Sequence, residues 1–171
     1  MRFPFIDLQA QRAVIADDVE AALKRVLEHG QFILGPEVTQ FESQLAEFEG
    51  GGHVVSCANG TDALILPMMA WGIGAGDIVF CPSWTYAATA EAIALIGATP
   101  CFVDVDPETY NICPKSLRLA IEAADTAKAI IAVDIFGQPA DYPALRLIAD
   151  EFDLKLIADS AQGLGCGLVG H

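Results

Sequence analysis

Residues 129–135 read AIIAVDI, an apolar run in which Asp134 is the single charged side chain. A run this short, apolar toward both sides, is typical of a strand buried within a parallel sheet. The chain contains further runs of this kind at 53–57, 78–81, 99–105 and 155–159. The pattern predicts a mainly parallel sheet built from these runs.

Stretches with helical spacing of apolar residues separate the predicted strands, at 61–71, 85–96, 114–124 and 142–152. Parallel strands need crossover connections, which are usually helices that cover the two faces of the sheet. We therefore expect a three-layer α/β fold with helices on both faces. Pro67 should interrupt or kink the first of these helices.

The first 52 residues follow a different pattern. Apolar side chains recur at helical spacing between residues 11 and 28, and Gly30 sits where a helix commonly ends. Pro36 suits the first turn of a second helix, which the glycines at 50–52 would stop. We expect a helical arm over 1–52, outside the main sheet, followed by an alternating β/α region over 53–171.

Composition indicates a packed globule with surplus apolar surface. Of the 171 residues, 53% are hydrophobic and 19% charged, and the mean hydropathy of +0.42 is high for a free-standing domain. Such a surplus favours a partner for this surface, either another subunit or a further part of the same chain.

The charge balance argues against polyanionic partners. Nine Lys and Arg against 23 Asp and Glu give a net charge of −14, which repels nucleic acid and anionic membrane surfaces. The five cysteines form no CxxC pair and predict reduced thiols, with no metal site. No apolar run approaches the roughly 20 residues of a membrane span, so we expect a cytoplasmic protein.

Three loops that follow predicted strands carry the candidate chemistry, since open α/β sheets bind ligands beyond the carboxyl ends of their strands. In the first loop, Gly60 lets the backbone approach a ligand, and the free amides of the following helix attract phosphate. Thr61 adds a hydroxyl donor. An ordinary helix cap by Asn59 or Thr61 explains the same residues equally well. The GxGxxG and GxxxxGK[ST] fingerprints are absent, which disfavours a nucleotide-binding module.

The second loop offers an aromatic ring. Trp84 and Tyr86 precede small residues that leave room for a flat ligand, and either side chain suits stacking on a planar cofactor. Isolated aromatic residues more often belong to a core or an interface.

The third loop begins with Asp159, at the end of the last apolar run. A carboxylate at this position is costly to bury unless a cation or a hydrogen-bond donor meets it. A protonated pyridine nitrogen is such a partner, and an aspartate facing it is a known feature of pyridoxal sites. Capping of a following helix or turn is the simpler alternative. A phosphate grip, a ring stacker and a ring-nitrogen acid together match pyridoxal 5′-phosphate.

Taken with their surroundings, these segments resemble the DegT/StrS family of pyridoxal-phosphate-dependent sugar aminotransferases, of fold type I. The resemblance covers nearly the whole chain, although as an N-terminal portion of an incomplete large domain. It rests on GPEV at 35–38, NGTDAL at 59–64, residues 82–90, VDVD at 103–106, FGQPAD at 136–141 and DSAQ at 159–162.

By position, the resemblance assigns Gly60, Thr61 and Asp62 to the cofactor phosphate, and it selects Tyr86 over Trp84 for stacking. Asp159 would face the pyridine nitrogen, and Gln162 would lie near the phenolic oxygen. Two local departures from the family pattern are Asn59, where Ser is frequent, and Asp134, where His is frequent.

A larger departure concerns the catalytic lysine. In the family a Schiff-base lysine follows the Asp-x-x-Gln signature by roughly two dozen residues, and this sequence ends at His171. The four lysines present are expected in helices or at strand starts, away from the three loops: Lys24, Lys115, Lys128 and Lys155.

The resemblance implies an aminotransferase that moves an amino group, usually from glutamate, to a nucleotide-linked keto-sugar, as in polysaccharide biosynthesis. It implies a homodimer in the full-length form. Without the lysine, we expect this chain to be inactive alone. The alternative interpretation is a non-catalytic fragment with at most residual cofactor binding.

Overall fold

The computed structural model describes residues 5–166. Contacts divide the chain into two compact units, Met1–Ser56 and Cys57–His171, which are described separately. All the predicted site residues lie in the second unit.

The first unit contains α1 (Leu8–His29) and α2 (Pro36–Phe48), close to the predicted helices. The Asp7 carboxylate caps α1 by accepting a 2.9 Å hydrogen bond from the Ala10 amide, and Gly30 ends it with a left-handed backbone conformation. Gly35 precedes Pro36 at the start of α2, as the spacing predicts. Neither helix has a fully buried residue.

The second unit is an α/β structure, which confirms the predicted fold class. Its helices are α3 (Gly60–Ala70), α4 (Ala88–Leu95), α5 (Pro114–Glu122) and α6 (Tyr142–Glu151). Its strands are β1 (Ile78–Pro82), β2 (Thr99–Val103), β3 (Ala127–Val133) and β4 (Lys155–Asp159). The four strands pair in parallel, in the order β2-β1-β3-β4.

Two apolar clusters make up the core, one on each face of the sheet. Alternate residues of β1 and β3 point to opposite clusters, because side chains of a strand alternate between its faces. On one face Val79 and Ile131 meet α3 and α4, and on the other Phe80 and Ile130 meet α5 and α6. The structure therefore has the three expected layers.

The predicted strand at 53–57 is wrong. These residues adopt no strand, and Val55 is 80% exposed. A strand requires a neighbour that accepts its backbone hydrogen bonds, and among the described residues none pairs with this segment. Its apolar pattern alone does not supply that neighbour.

The thiols and the helices add two further findings. Cys81 is buried in β1, whereas Cys57 and Cys166 are exposed, and all five cysteines are free. Across residues 5–166, no helix is both long and apolar enough to cross a membrane.

Candidate cofactor site

The candidate site lies at the carboxyl edge of the sheet. Because the four strands are parallel, their last residues line one edge, and the loops after β1 and β4 carry Tyr86, Asp159 and Gln162. The helix α3 joins β1 through the short segment 71–77 and packs on the sheet through Leu64 and Met68. Its C-terminus thus lies at the amino edge of the sheet, and its N-terminus points toward the carboxyl edge.

The N-terminus of α3 combines a cap with free amides. Asn59 is the capping residue, since its Oδ1 accepts a 2.9 Å hydrogen bond from the Asp62 amide. The Asp62 carboxylate accepts a second bond, of 3.2 Å, from the Asn59 Nδ2. The amides of Gly60 and Thr61 belong to the first turn, where a helix offers no internal acceptor. A cap and an anion-binding helix end are therefore present together.

Open space lies in front of this helix end. A Cβ atom placed on Gly60 would meet no atom within 4 Å, and the backbone of Gly60 has no positive φ. Neither the packing of the described residues nor the backbone conformation requires glycine here. A residue without a side chain leaves these amides open to close approach by a ligand.

The two aromatic residues of the second loop differ in their surroundings. The Trp84 ring lies 5.8 Å from the Tyr110 ring, which in turn lies 5.7 Å from Phe136, so Trp84 belongs to an aromatic cluster. Tyr86 is 75% exposed and has no aromatic partner in the part of the chain described. Of the two rings, Tyr86 is the one free to stack on a ligand.

The backbone around Tyr86 is held from two sides. The Ser83 amide donates a 2.8 Å hydrogen bond to the Val103 carbonyl of β2, and the Thr85 and Thr89 hydroxyls are 2.9 Å apart. Thr89 is almost fully buried. The segment between these anchors therefore projects Tyr86 from a fixed loop, which ends where α4 begins at Ala88, later than predicted.

Asp159 is a half-buried carboxylate at the end of β4. Its Oδ1 accepts one long hydrogen bond, of 3.4 Å, from the Ala161 amide. Among the described residues no Lys, Arg or His forms an ion pair with it. Burial raises the pKa of Asp159 above its usual range, the Ala161 amide opposes this effect, and the negative charge of Asp134 adds to it. The side chain suits a cationic partner that this part of the chain does not provide.

Gln162 stands in the turn after Asp159, and its main chain packs closely on the loop after β3. A Cβ on Gly137 would lie 2.8 Å from the Gln162 carbonyl oxygen, and Gly137 has a φ of +77°. A side chain at Gly137 would thus push the two loops apart. The Gln162 side chain is exposed.

Asp134 is the residue whose importance the sequence analysis missed. Only 3% exposed, it accepts hydrogen bonds from the Ala140 amide at 2.9 Å, the Tyr142 hydroxyl at 2.9 Å and the Ser160 hydroxyl at 2.7 Å. The position of Asp134 in an apolar run, matching that of Asp159 beside it, was the available signal. The resemblance marks Asp134 only as a departure from the frequent His, which does not indicate these hydrogen bonds.

Among the described residues of the second unit, no lysine stands beside Asp159. Lys128 and Lys155 begin the strands β3 and β4, at the opposite edge of the sheet. Lys115 starts α5, on the face away from α3 and α4, and Lys24 pairs with Glu28 at 3.7 Å in α1.

The donor set fits pyridoxal 5′-phosphate. Amides and a hydroxyl at the end of α3 suit its phosphate, the exposed Tyr86 ring suits stacking, and the Asp159 carboxylate suits a ring cation. Residues 13–171 also match the model of the DegT/DnrJ/EryC1/StrS aminotransferase family. This chain belongs to that family.

Two curated proteins that are similar to this chain are named as aminotransferases of UDP-linked sugars. The UDP-2-acetamido-2-deoxy-3-oxo-D-glucuronate aminotransferase of Pseudomonas aeruginosa is 51% identical over 97% of this chain and 46% of its own length. The UDP-N-acetyl-3-dehydro-alpha-D-glucosamine 3-aminotransferase of Acidithiobacillus ferrooxidans is 40% identical over 98% of this chain and 45% of its own. The chain spans just under half the length of both.

Solved structures of DegT/DnrJ/EryC1/StrS members have the same fold. A family aminotransferase from Brucella abortus superposes with a TM-score of 0.93 at 50% identity, over 96% of this chain and 45% of its own. The NtdA protein of Bacillus subtilis superposes at 0.91 with 32% identity, over 99% of this chain and 39% of its own, and holds the cofactor PMP. The family and its pyridoxal-phosphate chemistry are thus as the resemblance implied.

Proposed function

We propose that this chain carries the cofactor-binding part of an aminotransferase that uses pyridoxal 5′-phosphate and acts on a nucleotide-linked keto-sugar, with glutamate as the amino donor. The observation that supports it most is the half-buried Asp159, which pairs with no cation among residues 5–166 and lies at the edge toward which α3 points its free amides. The keto-sugar and its nucleotide follow from the relatives, which act on UDP-linked sugars.

Each predicted residue has one role in this proposal. The Gly60 and Thr61 amides and the Thr61 hydroxyl bind the phosphate, while Asp62 holds the cap that orients them. Tyr86 covers one face of the ring, and Gln162 lies toward the phenolic oxygen. Asp159 holds a proton at the ring nitrogen. When bound, the cofactor supplies an electron sink for the bond changes at the amino group.

Binding of pyridoxamine 5′-phosphate tests the cofactor site directly, because this amine needs no lysine to be retained. Calorimetry should show saturable binding, weakened at least about tenfold for pyridoxamine, which lacks the phosphate. Asp159→Asn should weaken binding, whereas Asp150→Asn, at an exposed position of α6, is the matched control. Equal affinity for the two amines, or no saturation, contradicts the proposal.

Activity gives a second test. Within the described part of the second unit no lysine lies beside Asp159, so we expect the chain to bind the cofactor without a covalent link and to transfer no amino group alone. The assay supplies glutamate and a UDP-linked 3-keto-sugar, and follows 2-oxoglutarate. Turnover above the no-enzyme control would refute this expectation.

A homodimer of the whole protein is part of the proposal. Side chains such as Val14, Leu27 and Phe32 are 84%, 71% and 69% exposed. Extended exposed apolar surface often marks contact with another subunit. Analytical ultracentrifugation of a full-length relative and of this chain checks the assembly.

A further inference from the structure

The loops after β3 and β4 meet at one buried carboxylate. Asp134 accepts hydrogen bonds from the Ala140 amide and the Tyr142 hydroxyl in its own loop and the following helix, and from the Ser160 hydroxyl beyond β4. All three partners act as donors. The three hydrogen bonds occupy both carboxylate oxygens, two at Oδ1 and one at Oδ2.

Asp134 and Asp159 occupy neighbouring positions on adjacent strands. Val133 is in register with Asp159, and the next amide, that of Asp134, donates a 3.0 Å hydrogen bond to the Asp159 carbonyl. Ser160, which directly follows Asp159, is itself a ligand of the Asp134 carboxylate. The position of Asp159 therefore depends on Asp134 through both the main chain and a side chain.

The packing around Asp134 leaves little freedom. A Cβ on Gly163 would approach the Asp134 Oδ2 to 3.0 Å and its Cβ to 3.2 Å. The turn after β4 can thus lie against Asp134 only because residue 163 lacks a side chain. A rotation of the Asp134 side chain would break three hydrogen bonds in a buried place, where each is costly to lose.

The charges near this pair have one sign. Asp134 directly follows β3, Asp159 ends β4, and Tyr142 begins α6. Besides burial, the negative charge of Asp134 raises the pKa of both Asp159 and Tyr142. Within residues 5–166 no Lys, Arg or His forms an ion pair with either carboxylate. The negative charge of Asp134 favours a positive partner at Asp159.

We propose that Asp134 is a positioning residue for Asp159: it fastens the loops after β3 and β4 together and keeps a second negative charge behind Asp159. This charge strengthens the hold of Asp159 on a protonated ring nitrogen, so the inference rests on the proposed cofactor site. The proton stays shared between Asp159 and that nitrogen, and Asp134 does not exchange it.

The test follows the titration of Asp159 in the cofactor-free chain. Carbon-13 labelling of aspartate gives the Asp159 carboxyl signal, identified by its loss in Asp159→Asn. In Asp134→Asn the amide oxygen accepts from Ala140 and Tyr142, and the amide nitrogen donates to Ser160, so the contacts persist while the charge is removed. The Asp159 midpoint should move to lower pH in this variant.

Tyr142→Phe is the matched control. It removes one hydrogen bond to Asp134 but leaves the charge of Asp134 in place. The pH midpoint of the Asp159 titration should therefore equal that of the wild type. A merely structural role for Asp134 would leave Asp159 titrating alike in Asp134→Asn and the wild type, and that result overturns the proposal. An equal shift in both variants overturns it too.

If Asp134→Asn does not fold, titration of the wild-type chain provides the test. Interacting carboxyl groups titrate together, so the Asp159 signal should follow a curve that departs from the single step of an isolated carboxyl group. A single-step curve refutes the charge coupling. These titrations are made without cofactor. A negative result would therefore contradict the role of Asp134 only, and the binding of pyridoxamine phosphate tests the cofactor site separately.

Discussion

The amide of Asp134 donates a 3.0 Å hydrogen bond to the carbonyl oxygen of Asp159, which joins the ends of β3 and β4. The hydrogen bond extends the parallel ladder by one residue, because Asp134 directly follows Val133, the residue in register with Asp159. One carboxylate is enclosed by donors and the other faces the open edge.

The raised pKa of Asp159 makes stability depend on pH. The folded chain keeps the Asp159 proton to a higher pH than the unfolded chain does, chiefly because of burial. The contribution of this residue is therefore present below its unfolded pKa, near 4, and is lost as the pH rises through its folded pKa. Urea unfolding across this range should show that Asp159→Asn lacks this loss. Parallel curves for the variant and the wild type would contradict it, and Asp150→Asn is the exposed control.

Gly60→Ala should separate stability from ligand binding. The position is the first of α3, its backbone suits any residue, and the added Cβ meets nothing. The variant should be more stable by about 0.5 kcal/mol, because alanine loses less freedom on folding. It should bind pyridoxamine phosphate more weakly, because the added methyl group occupies part of the open space in front of the Gly60 and Thr61 amides. Gly74→Ala, where the Cβ meets only the Ile96 carbonyl at 3.5 Å, should leave binding unchanged.

Asn59→Ala should destabilise the chain through α3. It removes the acceptor of the Asp62 amide and costs about 1 kcal/mol in the free energy of unfolding. Asn59→Ser keeps a capping oxygen and should recover most of this loss. Equal stability of the two variants, measured by denaturant unfolding, would show that the cap contributes nothing.

Tyr86 and Trp84 should respond in opposite ways to truncation. Tyr86→Ala removes an exposed ring, so pyridoxamine phosphate binding should fall while the unfolding free energy stays nearly unchanged. Trp84→Ala loses the contact with Tyr110 and should cost about 1 kcal/mol of stability with little effect on binding. The reverse outcome would make Trp84 the stacking residue.

Much of the fold was predictable because the strands and helices carry their own periodicity. The runs at 78–81 and 155–159 became β1 and β4 almost unchanged, since apolar residues on both faces admit few other structures. The run at 53–57 failed because strand formation depends on a neighbour, and a local pattern contains no information about that neighbour. The late start of α4 likewise goes with a contact to another strand, the hydrogen bond from the Ser83 amide to the Val103 carbonyl of β2.

The site was predictable only as a set of separate residues. Position along the chain suggested Gly60, Tyr86 and Asp159, and their roles in binding stay predictions. The sequence offered Asn59 or Thr61 as the cap, and the structure selects Asn59, but sequence spacing did not indicate that Trp84 would pack against Tyr110. The cap is a local contact, three residues along the chain, whereas the packing of Trp84 and the hydrogen bond of Asp134 with Ser160 join segments that lie far apart in the sequence.

The strand order has a consequence for how the chain folds during synthesis. The first strand to be made, β1, lies between β2 and β3, and its pairing with β3 spans α4, β2 and α5. Chains dominated by such distant pairings fold slowly, because a long loop must close before the contact forms. The ribosome therefore releases β1 and β2 before β3, and Phe80 cannot make its core contacts with Ile130 until β3 has emerged.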